Sequence, residues 1–253
     1  MCVAALAWSA HPEWRLLVIG NRDEYHDRPA APLERWPDGS GVLAGRDLRS
    51  GGTWLGVSQA GRFVLVTNRR GYGEPEAGRV SRGKLVTDLL TGTGNYADPD
   101  PAQLADFNPF NVLAGRGTEL AYLANRPEPV RARLSAGIYG LSNGALDEPW
   151  PKTLTLKAAL LDWLGKQDGD IAPLFAALAS ESLPVAGLHP QSPSDISAEA
   201  LETAPFIRNP VYGTRCSTVI AVDKAGQGAI WERRFDAQGQ NTGETRLAFR
   251  WPE

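Results

Sequence analysis

The chain is poor in cysteine and histidine and has no long apolar run, and each shortage removes a class of function. Its two cysteines, Cys2 and Cys216, cannot build the disulfide framework of a small secreted domain. The opening MCVAALAWSAHPEWR has no basic segment ahead of its short apolar run, so a secretory signal is not expected, and the apolar stretch that precedes a lipoprotein cysteine is missing. No run approaches the roughly 20 residues of a membrane-spanning helix. We therefore expect no transmembrane segment and a cytoplasmic, reducing location. The three histidines are His11, His26 and His189. A cysteine-protease mechanism needs a histidine base, yet His11 falls in a hairpin turn, His189 in a Pro-rich loop, and His26 reads as a solvated loop residue. There is no CxxC, no HExxH and no tight carboxylate–histidine spacing, so no metal is expected. The glycines at 51, 52, 71, 73 and 78 fit neither a phosphate loop nor a dinucleotide fingerprint, so no cofactor is expected either. Net charge is −3, and the basic residues are scattered without interleaved aromatics, which argues against a nucleic-acid partner.

What is present starts at Met1-Cys2. Removal of the initiator methionine leaves a residue that carries both a thiol and an α-amine. The amine has a reference pKa of roughly 7.7–8.0 and the thiol one near 8.5, so the amine can take the thiol proton at neutral pH. At 253 residues the chain can bury a core without staples, and we expect one domain over 1–253. Residues 2–8 and 16–22 read as a hairpin of two strands, apolar at nearly every position and therefore covered on both faces. This hairpin returns the chain to the level of Cys2 at Gly20-Asn21-Arg22-Asp23-Glu24. A Pro-rich loop from Arg28 to Gly39 follows, then strands at Val42–Arg46, Trp54–Ser58 and Arg62–Thr67, the last running into Asn68-Arg69-Arg70. Ser81 reads as the N-cap of a helix with Leu85 and Leu89 on one face, and Asp100-Pro101 as the start of a short one. A second hairpin covers 110–115 and 119–124, and a strand from Ile138 ends in Ser142-Asn143-Gly144. Leucines at 156, 160, 161 and 164 mark a helix from about Thr153 to Gly165, and Asp170 caps another through Leu174 and Leu178. The stretch 183–210 reads as loop with one helical turn after Ser197. Strands resume at Thr214–Val222, Ala229–Phe235 and Glu244–Phe249. That order, with helices between runs of strands, predicts an α+β fold of antiparallel sheets carrying helices on their outer faces.

Four polar clusters fall at strand ends: Asn21 to Glu24, Thr67 to Arg69, Ser142-Asn143 and Thr214-Arg215. A thiol nucleophile needs donors for a developing oxyanion and a group that fixes its amine. Asn68 and Asn143 can supply the amides, Asp23 can accept from the ammonium, and Arg22 or Arg215 can keep the thiol acidic. Cys216 reads as a buried small hydrophobe or a wall of the same site.

The motifs Met1-Cys2, Gly20-Asn21-Arg22-Asp23-Glu24, Gly51-Gly52-Thr53-Trp54-Leu55-Gly56 and Val66-Thr67-Asn68 closely resemble the NRDE family, the transport-and-Golgi-organisation 2 group. The resemblance continues through Gly83-Lys84-Leu85-Val86, Phe110-Asn111, Tyr139 to Asn143 and Tyr212-Gly213-Thr214-Arg215. It implies a four-layer αββα sandwich of the N-terminal-nucleophile hydrolase kind, related to choloylglycine hydrolases, penicillin V acylases and acyl-CoA-dependent acyltransferases. In those enzymes the cysteine works with an Arg and an Asp after the second strand, two Asn residues and a late Arg. By that resemblance Cys2, Asn68, Asn143 and Arg215 take the matching roles. The Arg/Asp pair departs from the pattern, because the hydrolases place the two three apart whereas Arg22 and Asp23 are adjacent. Adjacent side chains on a strand face opposite ways, so Asn21 with Asp23 is the expected orienting unit. The expected ligand is a small acyl compound whose amide or thioester forms a Cys2 thioester. The family's eukaryotic members are implicated in haem movement and lipid metabolism, so noncatalytic binding of haem or another amphipathic ligand is the second expectation.

Overall fold

The first two strands lack polar alternation because both of their faces are covered. In the computed structural model, which describes residues 2–166, 169–182 and 203–252, β1 (Val3–Trp8) and β2 (Trp14–Tyr25) form an antiparallel pair. Val3, Ala5, Ala7, Leu17 and Ile19 point to one side, into a core with Leu156, Leu160, Trp163, Leu174 and Phe175. Ala4, Leu6, Trp8, Leu16 and Val18 point to the other side, into a core with Leu43, Phe63, Leu65 and Leu113. The period-two geometry of a strand thus sends alternate apolar residues into two different cores.

Around this pair the first sheet has the order β10 (Gly137–Leu141), β1, β2, β11 (Tyr212–Asp223), β12 (Gln227–Phe235) and β13 (Asn241–Arg250). The second sheet runs in sequence order: β3 (Ala30–Arg35), β4 (Val42–Asp47), β5 (Leu55–Ser58), β6 (Arg62–Asn68), β7 (Phe110–Arg116), β8 (Glu119–Ala124) and β9 (Val130–Leu134). Neighbouring strands in both sheets are antiparallel. Helices α2 (Pro151–Lys166) and α3 (Ala172–Leu178) cover the outer face of the first sheet. Helix α1 (Arg82–Thr91) covers the second sheet through Leu85, Val86 and Leu90, packed on Val42, Ala44, Val64 and Val112. Three stacked cores make four layers, the αββα sandwich that the family resemblance implies.

The helix ends follow local chemistry. Ser81 Oγ accepts from the Gly83 N–H at 3.2 Å, and α1 stops at Gly92, whose φ of 70° is the left-handed cap that glycine adopts without strain. Asp170 Oδ1 accepts from the Ala172 N–H at the start of α3.

Several boundaries differ from the sequence reading. β2 continues to Tyr25 because β11 pairs along it as far as Tyr212, so the Asn21–Glu24 cluster lies within a strand instead of ending one. β3 arises inside the segment read as a Pro-rich loop. Its Pro32 is tolerated because β3 is an edge strand with a register shift between Ala31 and Glu34. β9 is likewise unexpected, since its sequence VRARL shows no buried face. Asp100-Pro101 leads into a 3-10 turn, Gln103–Asp106, too short to be an α-helix. His189 and the turn expected after Ser197 lie outside the described residues. No described helix is long and apolar enough to cross a membrane.

Candidate active site

The site begins with the register of four strands. Ala4 pairs with Leu141 and Val3 with Asn21; Cys216 pairs with both Arg22 and Arg234. Continuing the β1–β10 ladder by two residues and the β1–β2 ladder by one sets Cys2 between Asn143 and Arg22. A cross-strand row therefore reads Asn143, Cys2, Arg22, Cys216, Arg234, and residues directly opposite one another share a face. That face is the one between the sheets, and all five line a cavity of about 1160 Å³ at the end of the sandwich. Its far wall comes from the second sheet and the loops beyond it, including Asp47, Trp54, Asn68 and Arg82.

Two glycines of the sequence motifs shape this wall. A Cβ on Gly20 would stand 3.1 Å from the Val3 carbonyl oxygen and 3.3 Å from Trp54 Cη2, so glycine lets the indole close over the strand. A Cβ on Gly52 would collide with the Gly83 carbonyl group, so the Gly51–Thr53 loop meets the start of α1 backbone to backbone.

Cys2 is half-buried, and its carbonyl accepts from Ser142 Oγ at 2.9 Å. Burial pushes the thiol above its ordinary pKa; Arg22 and the backbone N–H of Asp23 act the other way. The thiol is thus held neutral and needs a base to become a nucleophile. Cys216 is buried, and desolvation with the nearby Glu232 carboxylate pushes its thiol far up.

Arg22 is 8% exposed. Its Nη2 lies 3.3 Å from Asp47 Oδ2 and 3.5 Å from Glu24 Oε2, while Nη1 is buried without a partner. Asp47 is a hub that also accepts from Arg28 Nε, Ser50 Oγ and the N–H groups of Arg49 and Ser50. Nothing in its strand-end context marks it in the sequence. Arg215 falls in a β-bulge between Thr214 and Cys216, which swings it out of the ladder to the cavity rim. There Nη1 donates to the carbonyls of Tyr25, His26 and Arg28. Its Nε is also buried without a partner.

Asp23 is 3% exposed and accepts from Thr214 Oγ1 at 2.7 Å. Burial raises its pKa to about 6 against the opposing pull of Lys152 and Arg22. Asn21 does not join it. The Asn21 amide points to the helical layer, where Nδ2 donates to the carbonyls of Leu178 and Pro205 and Oδ1 accepts from Ser217 Oγ. The expected Asn21–Asp23 orienting unit is therefore corrected. Asn21 is a pin between sheet and helix, and its hydrogen bonds are spent there.

The two other asparagines meet at the cavity. Asn143 Nδ2 donates to the Asn68 carbonyl at 2.7 Å, and the Arg70 N–H donates to the Asn143 carbonyl. Asn68, at the end of β6, also lines the cavity. His26 Nε2 sits 3.0 Å from the Asn209 carbonyl and His11 Nδ1 accepts from Glu13, so neither described histidine lines the cavity. Among the described residues no group of acids, cysteines or histidines is placed to hold a metal ion. Sequence reasoning also passes over Ser142 as an anchor and Lys152, a fully buried lysine whose charge is felt by Asp23 and Cys2.

The sequence profile of Transport and Golgi organisation 2 matches residues 1–237. The chain belongs to that family. It is 33% identical over 258 residues to the Transport and Golgi organization protein 2 homolog of Bos taurus, covering 92% of each chain. With the human homolog it shares 31% over 271 residues and 97% of each chain. The C2A mutant of the conjugated bile acid hydrolase from Clostridium perfringens aligns over 100% of this chain and 97% of its own, with a TM-score of 0.50 and 10% identity, a likeness of fold alone. In this Transport and Golgi organisation 2 member the motif residues Cys2, Arg22, Asp23, Asn68, Asn143 and Arg215 all reach one cavity, and Asn21 stands behind it.

Proposed function

We propose that the chain is a cytoplasmic N-terminal-nucleophile amidohydrolase or acyltransferase acting on an amide or thioester. One observation carries the reading: a half-buried thiol at residue 2 shares a cross-strand row with an amide and a guanidinium that open on a large cavity. Once methionine is trimmed, the Cys2 amine takes the thiol proton as Sγ attacks the carbonyl carbon. The tetrahedral oxyanion is met by the Asn68 amide and the unpartnered Nη1 of Arg22. Asn143 holds the strand end that presents Asn68. Asp23 accepts from the amine and orients it, and Arg215 adds positive charge at the rim. Collapse of the intermediate returns the proton from the ammonium to the departing amine or thiol and leaves a Cys2 thioester. Water then attacks with the amine as base, or an acceptor nucleophile does so, and the thiol is regenerated. Hydrolase chemistry in a bile acid hydrolase of the same fold fits this sequence of steps.

The test is intact mass before and after a low dose of iodoacetamide at neutral pH, followed by a screen of acyl amides and thioesters. Loss of Met1 with faster labelling of Cys2 than of Cys216 is the expected result, and Cys2→Ala should reduce any turnover to background. A retained methionine with a sluggish Cys2 in protein from its native host would overturn the reading.

A second reading has its own support. The cavity wall carries ten arginines against five carboxylates. Of these arginines Arg46, Arg49, Arg69, Arg70, Arg82 and Arg215 form no ion pair among the described residues. Such a wall suits an anionic amphipathic ligand, haem or a lipid included, held without chemistry. A carrier keeps its binding in Cys2→Ala, whereas an enzyme loses turnover.

A further inference from the structure

Asn111, from the sequence motif Phe110-Asn111, is fully buried near the start of β7 and does not line the cavity. A buried amide needs a partner for each donor and for its acceptor, and Asn111 has all three. Its Nδ2 donates to Thr67 Oγ1 across the ladder at 3.3 Å and to the Gly144 carbonyl at 2.9 Å. Its Oδ1 accepts from Tyr122 Oη at 2.8 Å. A carbonyl can only accept, so the Gly144 oxygen fixes which end of the amide is Nδ2. Thr67 and Tyr122 belong to the second sheet, whereas Gly144 lies in the turn that follows β10 of the first. One amide therefore ties the second sheet to a strand end of the first. Three consecutive residues of that turn each hold a different element. Ser142 Oγ donates to the Cys2 carbonyl at 2.9 Å, Asn143 Nδ2 donates to the Asn68 carbonyl at 2.7 Å, and the Gly144 carbonyl accepts from Asn111. The Arg70 N–H adds a bond to the Asn143 carbonyl at 2.8 Å. Asn68 and Arg70 meet the turn through backbone at and beyond the end of β6. Asn111 meets it from a strand paired on both sides, with β6 and β8, which makes it the firmer anchor.

We propose that Asn111, propped by Tyr122, is a positioning residue of the Cys2 site. It locks the Ser142–Gly144 turn to the second sheet and so sets how Cys2 stands relative to the strand end that carries Asn68. The role rests on the nucleophile reading, in which Cys2 attacks a carbonyl and Asn68 meets the oxyanion. An oxyanion donor acts only where the charge develops, and a misplacement of about 1 Å can cost about 10²-fold in rate. Alkylation of the same thiol by iodoacetamide displaces iodide at a saturated carbon and develops no oxyanion, so it does not sense that misplacement. Two reactions of one sulfur thus separate the placement of the donor from the reactivity of the thiol.

The experiment measures both reactions on the full chain once intact mass has verified the loss of Met1. The acyl probe is 4-nitrophenyl acetate. Cys2 Sγ bonds to the acetyl carbon, the bond from that carbon to the nitrophenyl oxygen breaks, and the thiol proton passes to the Cys2 amine. The departing 4-nitrophenolate is read by its absorbance, and the rate of Cys2→Ala is subtracted. Asn111→Ala should lower the first-turnover acylation rate by about 10–100-fold, with iodoacetamide alkylation of Cys2 within about twofold of wild type. Tyr122→Phe keeps the ring, removes the hydroxyl, and should lower acylation by about 3–10-fold, the worth of one hydrogen bond. Leu90→Ala, a core truncation at the far end of α1, should lower the melting temperature and leave the ratio of the two rates unchanged. A wild-type ratio in a folded Asn111→Ala overturns the proposal and leaves Cys2 a nucleophile; where that variant does not fold, a wild-type ratio in Tyr122→Phe does so. A parallel fall of both rates overturns it too, since that marks a loosened site and no specific loss of donor placement. A wild type that releases no 4-nitrophenolate beyond Cys2→Ala overturns the nucleophile reading, and the role of Asn111 with it.

Discussion

At the scale of single residues, the difference between Asn21, Asn68 and Asn143 is one of where each amide spends its hydrogen bonds. Asn21 uses three with Leu178, Pro205 and Ser217. Asn21→Ala should lower stability by a few kcal/mol in urea unfolding, since each buried group left unsatisfied costs about 1–3 kcal/mol. Under the proposed mechanism Asn68 supplies an amide to the oxyanion. Asn68→Ala should lower kcat on any substrate found by about 10²–10³-fold, the usual loss for one oxyanion donor, with melting unchanged. Asp23 and Lys152 make a prediction about pH. Between about 4 and 6 the folded chain keeps an Asp23 proton that the unfolded chain has lost, so stability falls as pH rises. Between about 8 and 10 the folded chain has lost a Lys152 proton that the unfolded chain keeps, so stability rises. Each limb amounts to about 3 kcal/mol, since every tenfold change in proton affinity on folding is worth about 1.4 kcal/mol. Urea unfolding across this range should show the dip, and Lys152→Met should remove its alkaline limb. Cys2 stands out in the sequence by its place after Met1, and Arg22 and Asp23 by a short polar cluster in an otherwise apolar strand. Lys152 does not, since a lysine before a leucine-rich helix normally lies in solvent, and only packing shows that this one does not.

At the scale of elements, glycine contacts hold the cavity wall in place. The start of α1 meets the Gly51–Thr53 loop with no room for a side chain, and Ser81 and Arg82 line the cavity from that contact. Gly52→Ala should lower the unfolding midpoint by at least the roughly 1–3 kcal/mol of an overpacked core, because the added carbon meets backbone and no side chain can move aside. Thermal or chemical denaturation checks it. The glycine pair is visible as a motif, but its reason is not, since the two glycines lie thirty-one positions apart and meet only across the second sheet and α1. The bulge at Arg215 is similar. A late arginine can be picked from Tyr212 to Arg215, yet an unbroken β11 would have turned it to the other face. β3 and β9 leave no signal because edge strands bury too little to show a pattern.

At the scale of the whole molecule, charge is separated. The chain carries −3, but its cavity has twice as many arginines as carboxylates. Anionic iodoacetate should therefore alkylate Cys2 faster, relative to neutral iodoacetamide, than it alkylates a small free thiol. That advantage should shrink as salt rises from about 0.05 to about 1 M and the screening length falls to about 3 Å. Equal ratios at low and high salt would remove the anionic-ligand argument.

The layer order was determined locally. Apolar runs, caps and turn residues decide where strands and helices form, and strands grouped around few helices leave little choice but antiparallel sheets with helices outside. Which polar residues meet was decided only in three dimensions. Adjacent Arg22 and Asp23 turn to opposite sides of one strand, so each acquires its partner from a distant element: Asp47 for the arginine and Thr214 for the aspartate. Those partners are set by register and by layers closing over a strand end, and neither leaves a trace in the spacing of the residues along the chain.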